Sequence, residues 1–239
     1  MTAASVPSPA EMAPLIDHTL LKPDADEAAV RALAAEAHEH GFASVCVNPR
    51  WVPLVVQLLK DSEVRTCTVV GFPLGASTTM SKVAETAEAA ETGAEEIDMV
   101  VDIALANAGK EDEVAAQIEA IAGVAHDRGA ILKVILETAL LDEEAKELVC
   151  HAAETAGADF VKTSTGFAGG GATVEDITLM HRVVGGRLGI KASGGVRTYE
   201  DAAAVVAAGA TRIGASSSLG IVGDNSTRAG QSASTESSY

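Results

Sequence analysis

The sequence predicts a single α/β domain, a closed (β/α)8 TIM barrel, and three observations predict it. Eight short apolar segments alternate with longer stretches that can form helices, which is typical of parallel strands joined by helical crossovers. The length of 239 residues suits one such barrel. Only 3% of the residues are aromatic, so the core must use Ala, Val, Leu and Ile, as parallel strands covered by helices do. An open doubly wound sheet is the alternative.

The strands are predicted from short apolar runs bounded by turn residues. In chain order they cover residues 15–19, 43–48, 65–72, 96–101, 131–137, 159–165, 189–193 and 211–215. Residues 1–14 and 223–239 are rich in small and polar residues, so they are predicted to be flexible ends. The barrel domain is therefore predicted to span residues 15–222.

Helices are predicted in the gaps between the strands. Acidic residues open the helix over residues 24–40, and Gly41 ends it. Glycine followed by alanine marks the ends of four further helices, which are predicted over residues 81–92, 110–128, 142–156 and 199–208. Each glycine supplies a left-handed cap that turns the chain into the next strand. After Leu219 the helical pattern is weak, so the barrel closes either with a short helix near residues 217–222 or with an irregular segment.

Composition argues against several classes of protein. A formal net charge of -17 disfavours a nucleic acid or an anionic membrane as partner. The three cysteines include no CxxC pair, so neither a disulfide framework nor a zinc site is expected. The chain has no apolar run of about 18 residues that could span a membrane and no secretory leader at its N-terminus, so a cytoplasmic location is expected.

Three lysines in the middle of successive apolar strands point to chemistry. Lysine is depleted from strands and is rarely buried without a partner, yet Lys133, Lys162 and Lys191 all occur in such strands. If these strands are neighbours, Lys162 lies between the other two, and burial together with adjacent positive charge favours its neutral amine. A neutral amine attacks carbonyl groups to form Schiff bases.

Polar residues gather late in the predicted strands, where the active sites of such barrels lie. They are Asp17, His18, Thr19, Asn48, Asp102, Glu137, Thr163, Ser164, Thr165, Ser193, Ser216 and Ser217. By strand alternation Glu137 shares a face with Lys133, which gives that lysine a carboxylate on its own strand. His18 is expected to be a structural hydrogen-bonding residue.

Acidic residues in apolar strands are candidates for proton transfer. Asp98 is predicted to hold a lysine protonated or to move a proton through water. Asp102 is the rival for this role, although a strand-end cap is the expectation for it. Asp17 closes the first strand and is predicted to accept a hydrogen bond from a substrate hydroxyl.

Glycine-rich loops after the last two strands suit anion binding. Gly194 and Gly195 follow the strand of Lys191, while Ser216 and Ser217 follow the last strand. Loops at these two positions of a (β/α)8 barrel commonly hold phosphate with backbone N–H groups.

With these segments in view, the chain resembles the deoxyribose-phosphate aldolase family of class I aldolases. The most specific motifs are Lys-Thr-Ser-Thr-Gly at residues 162–166 and Lys-Ala-Ser-Gly-Gly at residues 191–195. The resemblance extends over nearly the whole chain, through residues 15–19, 44–49, 70–75, 96–100, 132–138 and 212–217. It implies a barrel that reversibly cleaves 2-deoxy-D-ribose 5-phosphate to D-glyceraldehyde 3-phosphate and acetaldehyde, with no metal and no cofactor. A homodimer is expected on the same ground.

The resemblance also implies roles for individual residues. Lys162 forms the imine, Lys191 is the cation that favours its neutral amine, and Asp98 with Lys133 manages protons through an ordered water. Substrate contacts are predicted for Asp17, Thr163, Gly166, Gly194, Gly195, Ser216 and Ser217, of which the last five hold the phosphate. Some relatives end in a tyrosine whose tail reaches the active site, and this chain ends at Tyr239, for which a disordered tail is the alternative.

Two other functions remain open at this point. One is a class I aldolase that uses the same barrel for a different aldehyde, such as a keto-sugar phosphate. The other is a catalytically silent barrel that binds a sugar phosphate as a sensor. The set of three lysines argues against silence, because a binding protein has no need of a neutral buried amine.

Overall fold

The computed structural model describes residues 6–224 and contains a closed barrel of eight parallel strands. The strands pair in chain order, and the eighth pairs with the first. They are β1 Ile16–Leu20, β2 Ser44–Val47, β3 Arg65–Val70, β4 Glu96–Val100, β5 Ile131–Ile135, β6 Phe160–Lys162, β7 Gly189–Ser193 and β8 Arg212–Ala215. The closed barrel is therefore confirmed, and the open sheet is excluded. Strand β6 ends at Lys162, earlier than predicted.

Helices follow the strands around the outside of the barrel. Within residues 6–224 they are α1 Glu27–His40, α2 Val52–Leu59, α3 Thr79–Glu91, α4 Ile103–Asn107, α5 Glu111–His126, α6 Glu143–Thr155, α7 Val174–Val184, α8 Tyr199–Ala207 and α9 Ser218–Ile221. Short 3-10 helices cover Pro9–Leu15, Pro49–Trp51 and Thr138–Leu140. No helix in this part of the chain is both long enough and apolar enough to cross a membrane.

The ends of α1 show why the helical signals in the sequence work. The Asp26 carboxylate accepts a hydrogen bond from the backbone N–H of Ala29 at 2.8 Å, which satisfies a donor in the first turn. Gly41 ends the helix with φ of 66°, a left-handed conformation that glycine adopts without strain. The chain then enters β2 within three residues.

The N-terminal boundary differs from the prediction. Residues 1–14 were expected to be flexible, but residues from Pro9 onward form a 3-10 helix in which Met12 is fully buried. Tyr199 donates a hydrogen bond from its hydroxyl to the Pro7 carbonyl at 3.0 Å and so ties this segment to α8. Burial of an apolar side chain stabilises the segment, a contribution that its composition did not reveal. Residues 1–5 lie outside the described chain.

The C-terminal end of the barrel is closed by the short helix α9. This confirms the first of the two alternatives for residues 217–222. Asp224 Oδ2 lies 3.2 Å from His40 Nε2, and this contact joins the end of the described chain to α1. Residues 225–239, including Tyr239, lie outside the described part, so the expectation of a tail that reaches the site stays a prediction.

The strands separate an apolar outer layer from a polar interior. Leu132 and Val134 of β5 are fully buried in the outer core, which packs against the helices. Lys133 lies between them in sequence and points the opposite way because side chains alternate along a strand. The barrel interior therefore receives charged residues that its helical layer shields from solvent.

Candidate active site

Three adjacent strands carry the three lysines. Strand β6 lies between β5 and β7, so Lys162 is on the middle strand, as predicted. Lys162 is directly opposite Lys191, whereas Lys133 is opposite Phe160 and lies two residues deeper in the barrel. All three side chains are buried, and Lys162 retains the largest exposed fraction, at 4%.

The carboxylate of Asp98 joins the three ammonium groups. Its Oδ1 accepts from Lys133 Nζ at 2.8 Å, and its Oδ2 accepts from Lys162 Nζ and Lys191 Nζ at 2.7 Å each. Burial favours the neutral carboxyl, but the three lysines outweigh it and hold the pKa of Asp98 well below its usual range. Asp98 is thus suited to anchoring cations as a carboxylate rather than to taking up a proton itself.

A second group of charges lies deeper in the barrel. Arg212 Nη1 pairs with Asp17 Oδ1 at 2.7 Å and with Glu96 Oε2 at 3.0 Å. Lys133 Nζ is 2.6 Å from Glu96 Oε2, and Lys191 forms a short contact with Asp17 Oδ2. Asp17 is fully buried and its carboxylate pairs with Lys191 and Arg212, so its predicted hydrogen bond from a substrate hydroxyl stays a prediction.

These carboxylates keep the flanking lysines charged. Burial disfavours the charged form of Lys191, but Asp17 and Asp98 outweigh it and raise the pKa of Lys191 above its ordinary value. Burial opposes protonation of Lys133 as well, and Asp98 leads the groups that raise the pKa of Lys133 well above normal. Each carboxylate therefore faces permanent positive charge, and Lys162 is next to that charge.

Sequence reasoning did not single out Glu96 or Arg212. Glu96 is two residues before Asp98 in the same strand, so the two side chains share the interior face. A charged residue at alternate positions of an apolar strand was the signal that could have found it. Arg212 begins β8 and appeared only as part of a family motif, since its partners come from β1 and β4.

A cavity of about 290 Å³ opens above Lys162 at the C-terminal ends of the strands. The predicted Gly166, Gly194, Gly195 and Ser216 all line it, together with Lys162 itself. Ser217 follows the cavity wall as the residue that precedes α9. Two cationic residues that the sequence reasoning did not propose, Lys22 and Arg197, also line the cavity and supply positive charge at its rim.

The backbones of two loops approach so closely beside the cavity that glycine is required at position 171. A Cβ atom at Gly171 would lie 2.4 Å from the carbonyl oxygen of Gly194, a distance that real contacts do not reach. The N–H of Ala172 donates to the same carbonyl at 2.9 Å. The loop after β6 thus packs directly on the loop after β7, and together they form one side of the cavity.

Thr163 fixes the top of β6 to β7. Its hydroxyl donates to the carbonyl of Ser193 at 3.0 Å and accepts from the Ser193 N–H at 3.0 Å. Thr163 is fully buried and faces away from Lys162 along the strand. The structure brings it next to the cavity wall but engages its hydroxyl with backbone, so its predicted contact with substrate stays a prediction.

Glu137 pairs differently from the expectation. It adopts φ of 59°, and its carboxylate accepts from the N–H of Thr165 at 3.2 Å and from the Thr165 hydroxyl. The left-handed conformation turns Glu137 away from Lys133 and toward the loop that carries Gly166. The carboxylate that Lys133 uses instead comes from β4, through Asp98 and Glu96. The prediction of a partner on the same strand is therefore wrong.

Asp102 caps a helix, as expected. Its carboxylate accepts from the N–H groups of Ala104 and Leu105 at 3.1 Å each, at the start of α4. It is thus engaged at the end of β4, and of the two rivals Asp98 is the one that contacts the lysines.

Sequence comparison with known proteins identifies the family. The sequence profile of the DeoC/LacD aldolase family matches residues 12–223 of the chain. The chain belongs to this family. The aldolase is 57% identical over 222 residues to the deoxyribose-phosphate aldolase of Micrococcus luteus, which covers 90% of this chain and 97% of that protein. It is 56% identical over 212 residues to the corresponding protein of Halalkalibacterium halodurans, covering 88% and 94% of the two chains.

A solved structure gives the same result for the fold. The deoxyribose phosphate aldolase from Aeropyrum pernix, described as a tetramer, superposes with a TM-score of 0.85 at 35% identity, covering 92% of this aldolase and 93% of that chain. The resemblance predicted from the sequence is therefore confirmed. The protein is an enzyme, a carbon–carbon lyase of the aldolase type.

Proposed function

We propose that this aldolase reversibly cleaves 2-deoxy-D-ribose 5-phosphate to D-glyceraldehyde 3-phosphate and acetaldehyde through a Schiff base on Lys162. The observation that carries the proposal is the position of Lys162. Lys162 lines the cavity, whereas Lys133 and Lys191 are fully buried and are not among the residues that line it. A nucleophilic lysine must reach a carbonyl carbon, and among the three lysines Lys162 is the one at the cavity surface.

The ion pairs of the interior support Lys162 as the lysine that reacts. Four cationic side chains inside the barrel, Lys133, Lys162, Lys191 and Arg212, share three carboxylates, Asp17, Glu96 and Asp98. The half-exposed Arg65 also reaches Glu96, at 3.6 Å. Lys133 contacts all three carboxylates, and Lys191 and Arg212 contact two each. Lys162 contacts Asp98 alone. Lys162 therefore has the fewest carboxylate partners of the four, and it is the one that lines the cavity.

The chemistry that follows uses the iminium ion as an electron sink. The Lys162 amine condenses with the C1 aldehyde of the open-chain sugar phosphate, and water leaves. Removal of the C3 hydroxyl proton then breaks the C2–C3 bond, whose electron pair passes into the iminium and gives an enamine while D-glyceraldehyde 3-phosphate departs. Protonation of the enamine at C2 and hydrolysis of the imine release acetaldehyde and restore the amine.

The rim of the cavity supports recognition of the phosphate. The backbone of Gly166, Gly194, Gly195 and Ser216 lines the cavity, and the cationic side chains of Lys22 and Arg197 lie at the same rim. Glycines allow close approach of backbone N–H groups to an anion, while cationic side chains attract it. We assign the phosphate to this rim and the aldehyde carbon to Lys162 at the base.

Three further expectations belong to the same proposal. The partners are small molecules, a sugar phosphate and aldehydes, and neither nucleic acid nor membrane is expected given the net charge of -17. A cytoplasmic location is part of the same proposal. A homodimer is the expected assembly, which sedimentation equilibrium of the purified protein would test.

Reductive trapping tests the proposal directly. The intact protein is incubated with acetaldehyde and sodium borohydride, and the adduct is located by mass spectrometry and peptide mapping. We expect one ethyl group, on Lys162. The control variant Lys162→Arg keeps the positive charge but cannot form the imine, so it should take up none. An unmodified protein, or ethyl groups scattered over surface lysines such as Lys60, would point to a silent sugar-phosphate binder. If Lys162 is ethylated but deoxyribose phosphate is not cleaved, the enzyme uses another aldehyde.

A further inference from the structure

A chain of three side chains crosses the barrel wall between α1 and α9. His18 Nε2 lies 2.8 Å from Glu36 Oε2, and His18 Nδ1 lies 2.8 Å from Ser218 Oγ. His18 belongs to β1 but points outward, opposite in direction to Asp17, and it is 3% exposed. Ser218 is fully buried. None of these three residues takes part in the chemistry proposed above.

The last of these three side chains, that of Ser218, lies at the loop that forms one wall of the cavity. Ser218 is the first residue of α9, and its Oγ is also 3.1 Å from the carbonyl oxygen of Ala215 at the end of β8. Gly214, Ala215 and Ser216 line the cavity. A helix of four residues has little intrinsic stability, so side-chain contacts must hold this loop in place.

A count of protons shows which of the three side chains donates and which accepts in each hydrogen bond. Ser218 has one hydroxyl proton, and neutral His18 has one ring proton. When the ring donates from Nε2 to Glu36, its Nδ1 accepts the proton of Ser218, and the Ala215 carbonyl then goes without that bond. When the ring is doubly protonated, it donates to both partners, and Ser218 is free to donate to Ala215. Ser218 thus donates its one proton either to His18 or to the Ala215 carbonyl at the end of β8.

The surroundings of His18 favour the first arrangement. Burial lowers the pKa of His18 and outweighs its contacts with Glu36. The charged group nearest to the ring is Glu36, which raises the pKa of His18. His40, which belongs to α1 like Glu36 and pairs with Asp224, lowers the pKa of His18. The Phe42 ring lies 5.1 Å away and shields His18 from solvent.

We propose that Glu36, His18 and Ser218 are positioning residues that fix the loop between β8 and α9 for binding of the substrate phosphate. The inference rests on the proposed function, which places the phosphate at Gly194, Gly195 and Ser216. It concerns residues that touch the loop from outside the cavity. It therefore predicts a change in phosphate affinity without a change in the reaction at Lys162.

Two variants each remove a different hydrogen-bonding group from this set of three side chains. Ser218→Ala removes the hydroxyl, and Glu36→Ala removes the carboxylate at a partly exposed helix position where alanine is well tolerated. In both we expect the KM for 2-deoxyribose 5-phosphate to rise about three- to tenfold, the loss of one hydrogen bond's net contribution, with kcat within twofold of the wild type. The rate with unphosphorylated 2-deoxyribose should not change.

Matched controls lie at the opposite end of the barrel. His126→Gln breaks a histidine–carboxylate pair of the same length, 2.8 Å, between His126 and Asp159. Ser62→Ala removes a serine hydroxyl that accepts from the Val64 N–H at 3.1 Å, in the loop before β3. Both controls should retain the wild-type KM for the phosphorylated sugar.

Calorimetric titration with inorganic phosphate separates this inference from the proposed function. Weaker phosphate binding in Ser218→Ala and Glu36→Ala, with undiminished ethylation of Lys162 by acetaldehyde and borohydride, supports the positioning role. Unchanged phosphate affinity in both variants overturns it, even if the wild type forms the imine. An equal loss of rate with phosphorylated and unphosphorylated sugar also overturns it, because that result indicates general destabilisation. The phosphate titration decides the point even if the wild type fails to trap acetaldehyde.

Discussion

Lys162 and Lys191 donate to the same carboxylate oxygen, Oδ2 of Asp98, at 2.7 Å each. The two lysines lie opposite each other on β6 and β7, so the parallel register brings their amines to one acceptor. Lys191 has a second carboxylate, Asp17, whereas Lys162 has none besides Asp98 within the described chain. The asymmetry separates a permanently charged lysine from one that opens onto the cavity.

Replacement of Lys191 tests its electrostatic role. Lys191→Leu removes the positive charge that lies next to Lys162 and shares Asp98 Oδ2 with it. We expect kcat/KM at pH 7 to fall about 100-fold, or roughly 2.7 kcal/mol at 1.36 kcal/mol per tenfold. Steady-state kinetics between pH 6 and about 10 measure this. Lys60→Leu, at an exposed position, is the control. An unchanged rate and pH profile would refute the role.

Replacement of Asp98 should destabilise the fold. Asp98→Asn leaves three buried ammonium groups without their shared carboxylate, and loss of one partner of a buried ion pair typically costs about 3 kcal/mol. Urea denaturation at pH 7 measures the free energy of unfolding. Asp61→Asn, whose side chain is 88% exposed, should change it by less than about 0.5 kcal/mol. Equal stability of Asp98→Asn and the wild type would show that the lysines do not depend on this carboxylate.

The same variant should respond differently to acid. The pKa of Asp98 is depressed in the folded protein, because the lysines outweigh the effect of burial. Its contribution to stability is therefore complete above the unfolded pKa of about 3.9 and is lost as the pH falls toward the folded value. We expect the wild type to lose stability more steeply than Asp98→Asn below about pH 4. Circular dichroism of the two proteins during parallel acid titrations measures the fraction folded at each pH. Two unfolding curves that differ only by a constant offset would contradict the prediction.

Gly214 leaves room for the side chain of Lys191. A Cβ atom at this position would lie 2.9 Å from Lys191 Cε and 3.0 Å from Ser193 Cβ. Gly214→Ala should therefore displace Lys191 and lower kcat roughly tenfold, since small misplacements near reacting groups are costly. Gly123→Ala is the matched control in α5, where no atom lies within 4 Å of the added Cβ and alanine should stabilise the helix by about 0.5–1 kcal/mol. Full activity of Gly214→Ala would show that Lys191 can move without loss.

Lys82 should make stability rise with pH. It is buried, donates to the Val100 carbonyl at 2.7 Å and to Gln117 Oε1 at 2.8 Å, and burial lowers its pKa to about 8. Between pH 8 and the unfolded value near 10.4, the unfolded chain binds the extra proton, so stability increases with pH. We expect the advantage of the wild type over Lys82→Met to grow by up to about 3 kcal/mol from pH 7 to 10. Urea denaturation at each pH tests this, with Lys60→Met as the exposed control.

The strand positions could be predicted because they depend on local pattern. Apolar runs and glycine caps located all eight strands, and the spacing of Lys133, Lys162 and Lys191 on successive strands indicated that their side chains would meet. Neighbouring strands in a barrel are neighbours in sequence, so the order of β5, β6 and β7 followed from the fold class. The short helix α9 was one of two alternatives, since four residues give too little periodicity to decide.

The sequence by itself determined the fold class, the family motifs and the three lysines, because strand alternation and local caps are properties of short segments. Only the tertiary structure decided how the polar side chains pair: Asp17 with Lys191 and Arg212, Glu96 with Lys133, Glu137 with Thr165, and His18 with Ser218. These partners are separated by 28 to 200 residues along the chain. Such pairings depend on barrel register and backbone conformation, including the left-handed turn at Glu137, and on which buried charges can compensate one another.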